Sequence, residues 1–221
     1  MSLSPLAEML SRKRLLIFDF DGTLVDSSPL HARAFNHAFA GEGIQVDYAT
    51  IAGLTTPAAV DKVAAGAGLT LSEASRASLI SAKQAFARAL IESELSAVEG
   101  SVKFVRRAER RYALALCTSA SRTSAELALD RVGLAGAFEP VVTAGDVDHG
   151  KPHPEGFLKA LAHHKMEAAE AIVFEDAASG LEAAAAAGID AIHVAPPGAP
   201  ELGSPRADWA MLNAALDEIG L

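Results

Sequence analysis

Short apolar runs recur along this chain, and each ends abruptly at polar residues. The first, Leu15 to Phe18 within RLLIFDFDGTLVDSS, has the length and density of a strand buried on both faces, and Gly22 just beyond it permits a tight turn. From Gly100 onward, further strand-length runs at Tyr112 to Cys117, Pro140 to Thr143, Ala171 to Glu175 and Asp190 to Val194 alternate with helical segments. That alternation predicts βαβ units and a parallel sheet. Caps are read at Ser101, Ser121, His153 before Pro154, and Ser179 with Glu182. The run Ala183 to Ala187 predicts a close-packing helix stopped by Gly188, and Ala207 to Ile219 a terminal helix, or a short strand and helix, that closes the edge.

Between Ser27 and Leu95 the pattern is helical throughout. Ser28 as N-cap with Pro29 starts one helix that runs to Gly41, Thr56-Pro57 starts a second that ends near Gly66 to Gly68, and Thr70-x-x-Glu73 reads as a capping box opening a long helix toward Leu95. An insertion of about 70 residues is too long for a structureless loop in a compact domain. The expected organisation is therefore a core of residues 1–26 and 97–221 and an all-helical unit of residues 27–96, with residues 1–13 as a short amphipathic lead-in.

Composition narrows the function classes. Half of the 221 residues are hydrophobic, no apolar run approaches membrane-spanning length, and Glu8 interrupts the segment where a signal peptide needs apolar continuity, so a cytoplasmic protein without membrane partners is expected. Cys117 is the only cysteine, which excludes an intrachain disulfide and a cysteine-cluster metal site. The formal charge of -9, with 19 scattered Lys and Arg, argues against a nucleic-acid partner. A small anionic substrate must then be attracted locally, by a metal ion, a lysine or helix amino termini. The histidines show no zinc spacing; His31, on the first inserted helix close to the hinge, is the one singled out.

In an open parallel sheet the ligand site lies beyond the carboxyl ends of the strands. The residues ending the runs form an ordered set: Asp19 and Asp21, then Thr118 and Ser119, then Gly150-Lys151-Pro152, then Glu175 and Asp176. Two acids one residue apart at a strand end repel each other and lose hydration unless a cation or a hydrogen-bond network compensates. Asp19-Phe20-Asp21-Gly22-Thr23-Leu24-Val25-Asp26-Ser27 resembles the first motif of the haloacid dehalogenase (HAD) superfamily, and the whole set resembles its four ordered motifs over Arg14 to about Ala195.

The resemblance implies a Rossmann-like α/β core with a helical cap inserted after the first motif, similar to the β-phosphoglucomutase and phosphoglycolate phosphatase group. It implies Asp19 as the nucleophile that forms an aspartyl-phosphate and Asp21 as general acid, then base. Lys151 would offset the charge of nucleophile and phosphoryl group, and Thr118 and Ser119 would hold a phosphoryl oxygen. Magnesium would be held by Asp19, the Asp21 carbonyl and Asp176, with Glu175 direct or through water.

The expected function is phosphate release from small metabolites, sugar or polyol phosphates, by a monomer. The alternatives are a phosphosugar mutase and a non-catalytic phosphate-binding regulator. The regulator is disfavoured because the nucleophile, acid, lysine and metal ligands are all present. The mutase requires cations for a second phosphate, whereas Ala52-Gly53-Leu54-Thr55-Thr56-Pro57 is uncharged, leaving Arg122 beside Ser121 as the possible substitute. Gly53, Thr55, Thr56, Lys83 and Arg122 are the candidate leaving-group contacts.

Overall fold

The structure, a computed structural model, describes residues 3–221. It contains the expected parallel sheet of an α/β Rossmann-like fold. The strands are β1 (Leu15–Phe18), β2 (Ala113–Cys117), β3 (Val141–Val142), β4 (Ala171–Glu175), β5 (Asp190–Val194) and β6 (Arg206–Ala207), in the order β3-β2-β1-β4-β5-β6. Strand β1 pairs in register with both neighbours, Leu15 opposite Ala113 on one side and Ala171 on the other. The chain thus winds outward from β1 in one direction through β3 and in the other from β4 onward. This reversal opens a crevice at the carboxyl ends of β1 and β4.

Side-chain alternation divides the core. Leu16 and Phe18 face a cluster with Phe174, Phe104, Trp209 and Leu216 under α1 (Pro5–Ser11), α5 (Ser101–Ala108) and α9 (Trp209–Glu218). Leu15 and Ile17 face Phe157, Leu161, Ala183 and Ala184 on α7 (Glu155–His164) and α8 (Ala178–Ala186). Both faces are covered, which is why β1 reads as an unbroken apolar run. Each large side chain buried this way contributes about 1.5–3 kcal/mol.

Helices α2 (Ser28–Ala38), α3 (Thr56–Gly66) and α4 (Glu73–Glu94) follow β1, with no strand between Ser27 and Leu95. They enclose an apolar centre of their own, formed by Phe35, Phe39, Val46, Ile51, Val60 and Leu79. At their base, Leu30, Leu90 and Ile91 join the cluster under the sheet. Between β2 and β3 lies α6 (Arg122–Arg131), capped as expected by Ser121.

Several expected caps are corrected. Helix α2 begins at Ser28 with Ser27 before it, and Ser27 makes no capping bond because its hydroxyl goes to Asp21. The 310 turn at Ala40–Glu42 ends the segment at Gly43. The cap of α4 is Ser72, accepting from Ser75 N, not Thr70 with Glu73. Gly100, at φ 85°, precedes α5, and Ser101 instead donates to the Leu24 carbonyl at 2.8 Å. Ser179 lies inside α8, whose N-cap is Ala177. In these cases a tertiary partner or a neighbouring residue takes the role that local sequence assigns to the hydroxyl.

Candidate active site at the carboxyl ends of β1 and β4

The end of β1 places Asp19 in the crevice, 5% exposed, with its backbone N–H on the Phe174 carbonyl at 2.9 Å. Gly22 turns the chain at φ 89°, and its N–H returns to the Val25 carbonyl. A Cβ at Gly22 would lie 2.2 Å from Asp176 Oδ2, so the turn needs glycine both for its conformation and for this close approach. Thr23 Oγ donates to Asp176 Oδ1 at 2.8 Å and fixes that carboxylate from the same turn. Gly180 has the same spatial role on α8: a Cβ there would fall 2.1 Å from Cδ of the buried Glu175.

Lys151 joins the strands. Its Nζ lies 2.5 Å from Asp19 Oδ1 and 2.9 Å from Glu175 Oε2. Burial works against the lysine's charge, but Asp19 and Glu175 outweigh it and raise its pKa. Burial raises Asp19 despite Lys151, with the Asp21 charge adding to the effect. Burial and the Asp19 charge hold Glu175 well above its ordinary value, and the same two causes push Asp176 up to about 7. One lysine therefore faces more negative charge than it can neutralise.

Ligand atoms of Asp19, Glu175 and Asp176 lie within 4.8 Å of one another. All three are hard carboxylate oxygens, and their mutual repulsion raises two of the pKa values in that cluster through the Asp19 charge. The donor set fits a hard divalent cation.

Asp21 has a different environment. Ser27 Oγ donates to its Oδ1 at 2.7 Å, and His31 Nε2 lies 3.0 Å from the same oxygen. Lys83 Nζ lies 3.2 Å from His31 Nδ1 and 3.3 Å from Thr56 Oγ. An ammonium has only protons to offer, so His31 Nδ1 accepts and Nε2–H donates to Asp21. Burial alone would raise Asp21; His31, the Ser27 bond and the Lys83 charge reverse this and bring it down to about 2. Lys83 is itself lowered to about 8 by burial, against the pull of Asp21.

Thr118 is buried at the end of β2, its N–H on the Val142 carbonyl and its Oγ accepting from Ala120 N. Ser119 Oγ donates to the Gly53 carbonyl at 2.7 Å, tying the β2 loop to the inserted helices. Ser179 Oγ approaches the neighbouring Ala52 carbonyl at 3.5 Å. A cleft between these parts encloses about 630 Å³ of atom-free space, counting its open mouth. Asp19, Asp21, His31, Tyr48, Gly53, Thr56, Lys83 and Ser119 are among its lining residues.

The structure thus brings Asp19, Asp21, Thr118, Ser119, Lys151, Glu175 and Asp176 together at one sheet end, with Gly53 above them. Thr55 sits to the side, capping α3 and touching Gly150. Arg122 is not brought in: its guanidinium donates to Asp146 at 2.7 Å and to the Val141 carbonyl at 3.0 Å, and it does not line the cleft. Sequence reading missed Thr23, Ser27, Tyr48, Gln84 and Ser124. For Thr23 and Ser27 the signal was their adjacency to the two aspartates; the others become neighbours only through folding.

The family described as haloacid dehalogenase-like hydrolase matches residues 16–194. A validoxylamine A 7'-phosphate phosphatase of Streptomyces hygroscopicus subsp. limoneus is 33% identical over 181 residues, covering 80% of this chain and 83% of its own. A fructose-1-phosphate phosphatase, YqaB, of Escherichia coli K12 is 32% identical over 188 residues, covering 84% and 98%. The structure of CbbY from Rhodobacter sphaeroides in complex with phosphate superposes with a TM-score of 0.80 at 25% identity, covering 93% of this chain and 99% of that one. With the four strand-end motifs in one crevice and the family match spanning most of the sequence, the chain belongs to the haloacid dehalogenase-like hydrolases.

Proposed function

We propose that this hydrolase is a magnesium-dependent phosphatase of small phosphorylated metabolites, sugar or polyol phosphates, acting through an aspartyl-phosphate on Asp19. The observation that carries the reading is the buried contact of Lys151 with both Asp19 and Glu175 beside the Asp176 carboxylate. It supplies a nucleophile, a fixed cation and a hard-cation donor set at one strand end. Two relatives named as phosphatases of phosphorylated small molecules support the substrate class.

Asp19 attacks phosphorus as the bond to the leaving oxygen breaks, and Asp21 gives that oxygen a proton. Water then attacks phosphorus, Asp21 takes the water's proton, and Asp19 is released as a carboxylate. Lys151 offsets the repulsion between Asp19 and the phosphoryl oxygens, and the Thr118 hydroxyl and the Ser119 backbone N–H hold one of those oxygens, the Ser119 hydroxyl proton being given to Gly53. Asp19, Glu175, Asp176 and the Asp21 carbonyl would hold magnesium, which when bound supplies charge neutralisation at the phosphoryl group. The low pKa of Asp21 keeps it ionised, the form from which the base step starts. For the acid step, the incoming phosphoryl charge must offset the influence of His31 and Lys83 on Asp21.

Arg122, the group on which the mutase alternative leaned, is engaged with Asp146 outside the cleft, so the phosphatase reading is preferred. The test is Asp19→Asn. Turnover of a sugar phosphate should fall at least about 10³-fold, as when a catalytic nucleophile is removed, with the circular dichroism spectrum unchanged. Chelation should abolish turnover and added magnesium restore it. Activity near that of the unaltered protein in Asp19→Asn would overturn the mechanism.

A further inference from the structure

The far wall of the cleft, formed by the inserted helices and their loop, carries Phe35, Leu54 and Ala87 as apolar surface and Thr56 and Gln84 as neutral polar groups, and α6 adds the Ser124 hydroxyl to the lining. Lys83 is the one lysine or arginine among the described lining residues, and it is already engaged. It is 6% exposed, bonded to His31 and Thr56, and its Nζ sits 4.8 Å from the centroid of the Phe35 ring. Arg122 is held by Asp146 outside. A second phosphate or a carboxylate on the leaving group would lose hydration in this cleft without meeting a free cation, a cost that attraction elsewhere does not offset. Hydroxyl groups meet suitable partners: Gln84 offers two donors and an acceptor, and Ser124 lies 2.9 Å from Ser121, oxygen to oxygen, at the start of α6.

We infer that the cleft selects monophosphates whose leaving group is an uncharged polyol, excluding bisphosphates and phosphocarboxylates, and that Gln84 and Ser124 are specificity-determining residues that read its hydroxyls. This inference rests on the phosphatase reading and deepens it. Selection comes from what the cleft lacks as much as from what it offers, since a site without a counter-charge rejects an extra anion.

The test separates the two levels. Binding of glucose 1-phosphate, glucose 1,6-bisphosphate and phosphoglycolate is measured by calorimetry with the Asp19→Asn protein and magnesium, and hydrolysis of p-nitrophenyl phosphate is assayed with the unaltered protein. The expected result is a Kd for glucose 1-phosphate at least about tenfold below those of the other two. Adding Gln84→Arg, on the exposed side of α4, should shift the ratio of bisphosphate to monophosphate Kd at least about tenfold toward the bisphosphate. Equal or tighter binding of the bisphosphate or of phosphoglycolate by the Asp19→Asn protein, or no binding of any of the three, overturns the inference. An unchanged ratio in Gln84→Arg overturns the assignment of Gln84. Failure to hydrolyse the aryl phosphate overturns the phosphatase reading instead, and the binding order still decides the charge selection.

Discussion

Lys83 shows how a single residue links the inserted helices to the chemistry. It is a buried ammonium whose pKa falls to about 8 because burial outweighs the attraction of Asp21. In the unfolded chain the lysine keeps its proton up to its ordinary value near 10.5. Between these two values the unfolded state binds more protons than the folded one, so this residue's contribution to stability rises with pH. The cost of burying its charge is fully present below pH 8 and is relieved as the pH approaches 10.5. The stability of the unaltered protein minus that of Lys83→Met should therefore increase across this window and be flat below it. Thermal unfolding of both proteins from pH 6 to 10.5 measures this, and taking the difference removes groups that titrate in both. A flat difference would mean that Lys83 titrates in the folded protein as it does in the unfolded chain, as a solvated lysine does, and a rise that begins well below pH 8 would mean that it is already neutral at pH 7.

At the scale of elements, the carboxyl end of α4 is held from outside by one arginine. Arg131, at the end of α6, donates to the carbonyls of Glu92, Ser93 and Leu95 at 2.7, 3.0 and 3.1 Å, placing a positive charge where the helix presents its unpaired carbonyls. Arg131 is exposed, so the net contribution is about 1 kcal/mol, and Arg131→Met should lower Tm by about 2–4 °C. An unchanged Tm would show that water replaces the guanidinium at no cost. The elements themselves were legible because β4 and β5 are bounded by sharp changes of polarity, and the apolar runs there match the strands end to end. The ends of helices were less so. Ser101 and Ser179 each point to a partner far along the chain, and local sequence carries no record of Leu24 or Ala52; Ser27 turns back to Asp21, six residues before it, in place of the helix end. The same limit hid the direction of Arg122 and the contact of Lys83 with His31, 52 residues apart.

Over the whole molecule, the inserted segment meets the sheet end through His31 on Asp21 and through the loop at Gly53. Gly53, at φ 78°, gives its carbonyl to Ser119, and a Cβ there would fall 2.3 Å from Ser179 Oγ and 3.1 Å from Ala177 Cβ. Nearby, a Cβ at Gly150 would lie 3.0 Å from the Thr55 methyl group. The loop thus rests on the β2 loop, on the start of α8 and beside Lys151, over the residues proposed to do the chemistry. We propose that residues 27–96 move largely as a body against residues 1–26 and 97–221, closing to exclude water during attack on phosphorus and opening for exchange. In that case Gly53→Ala should act on closure and leave the folding of either part intact. The left-handed conformation costs a non-glycine residue about 1–2 kcal/mol before the clash with Ser179 is counted. At 1.4 kcal/mol per factor of ten, kcat/KM for a sugar phosphate should drop about tenfold or more. An aryl phosphate that gains little from the far wall should be affected much less. Small-angle scattering should show a larger radius of gyration for the variant with a phosphate analogue present than for the unaltered protein under the same conditions. Equal losses on both substrates with identical scattering would mean that the helices are fixed on the sheet and that the loop serves packing alone.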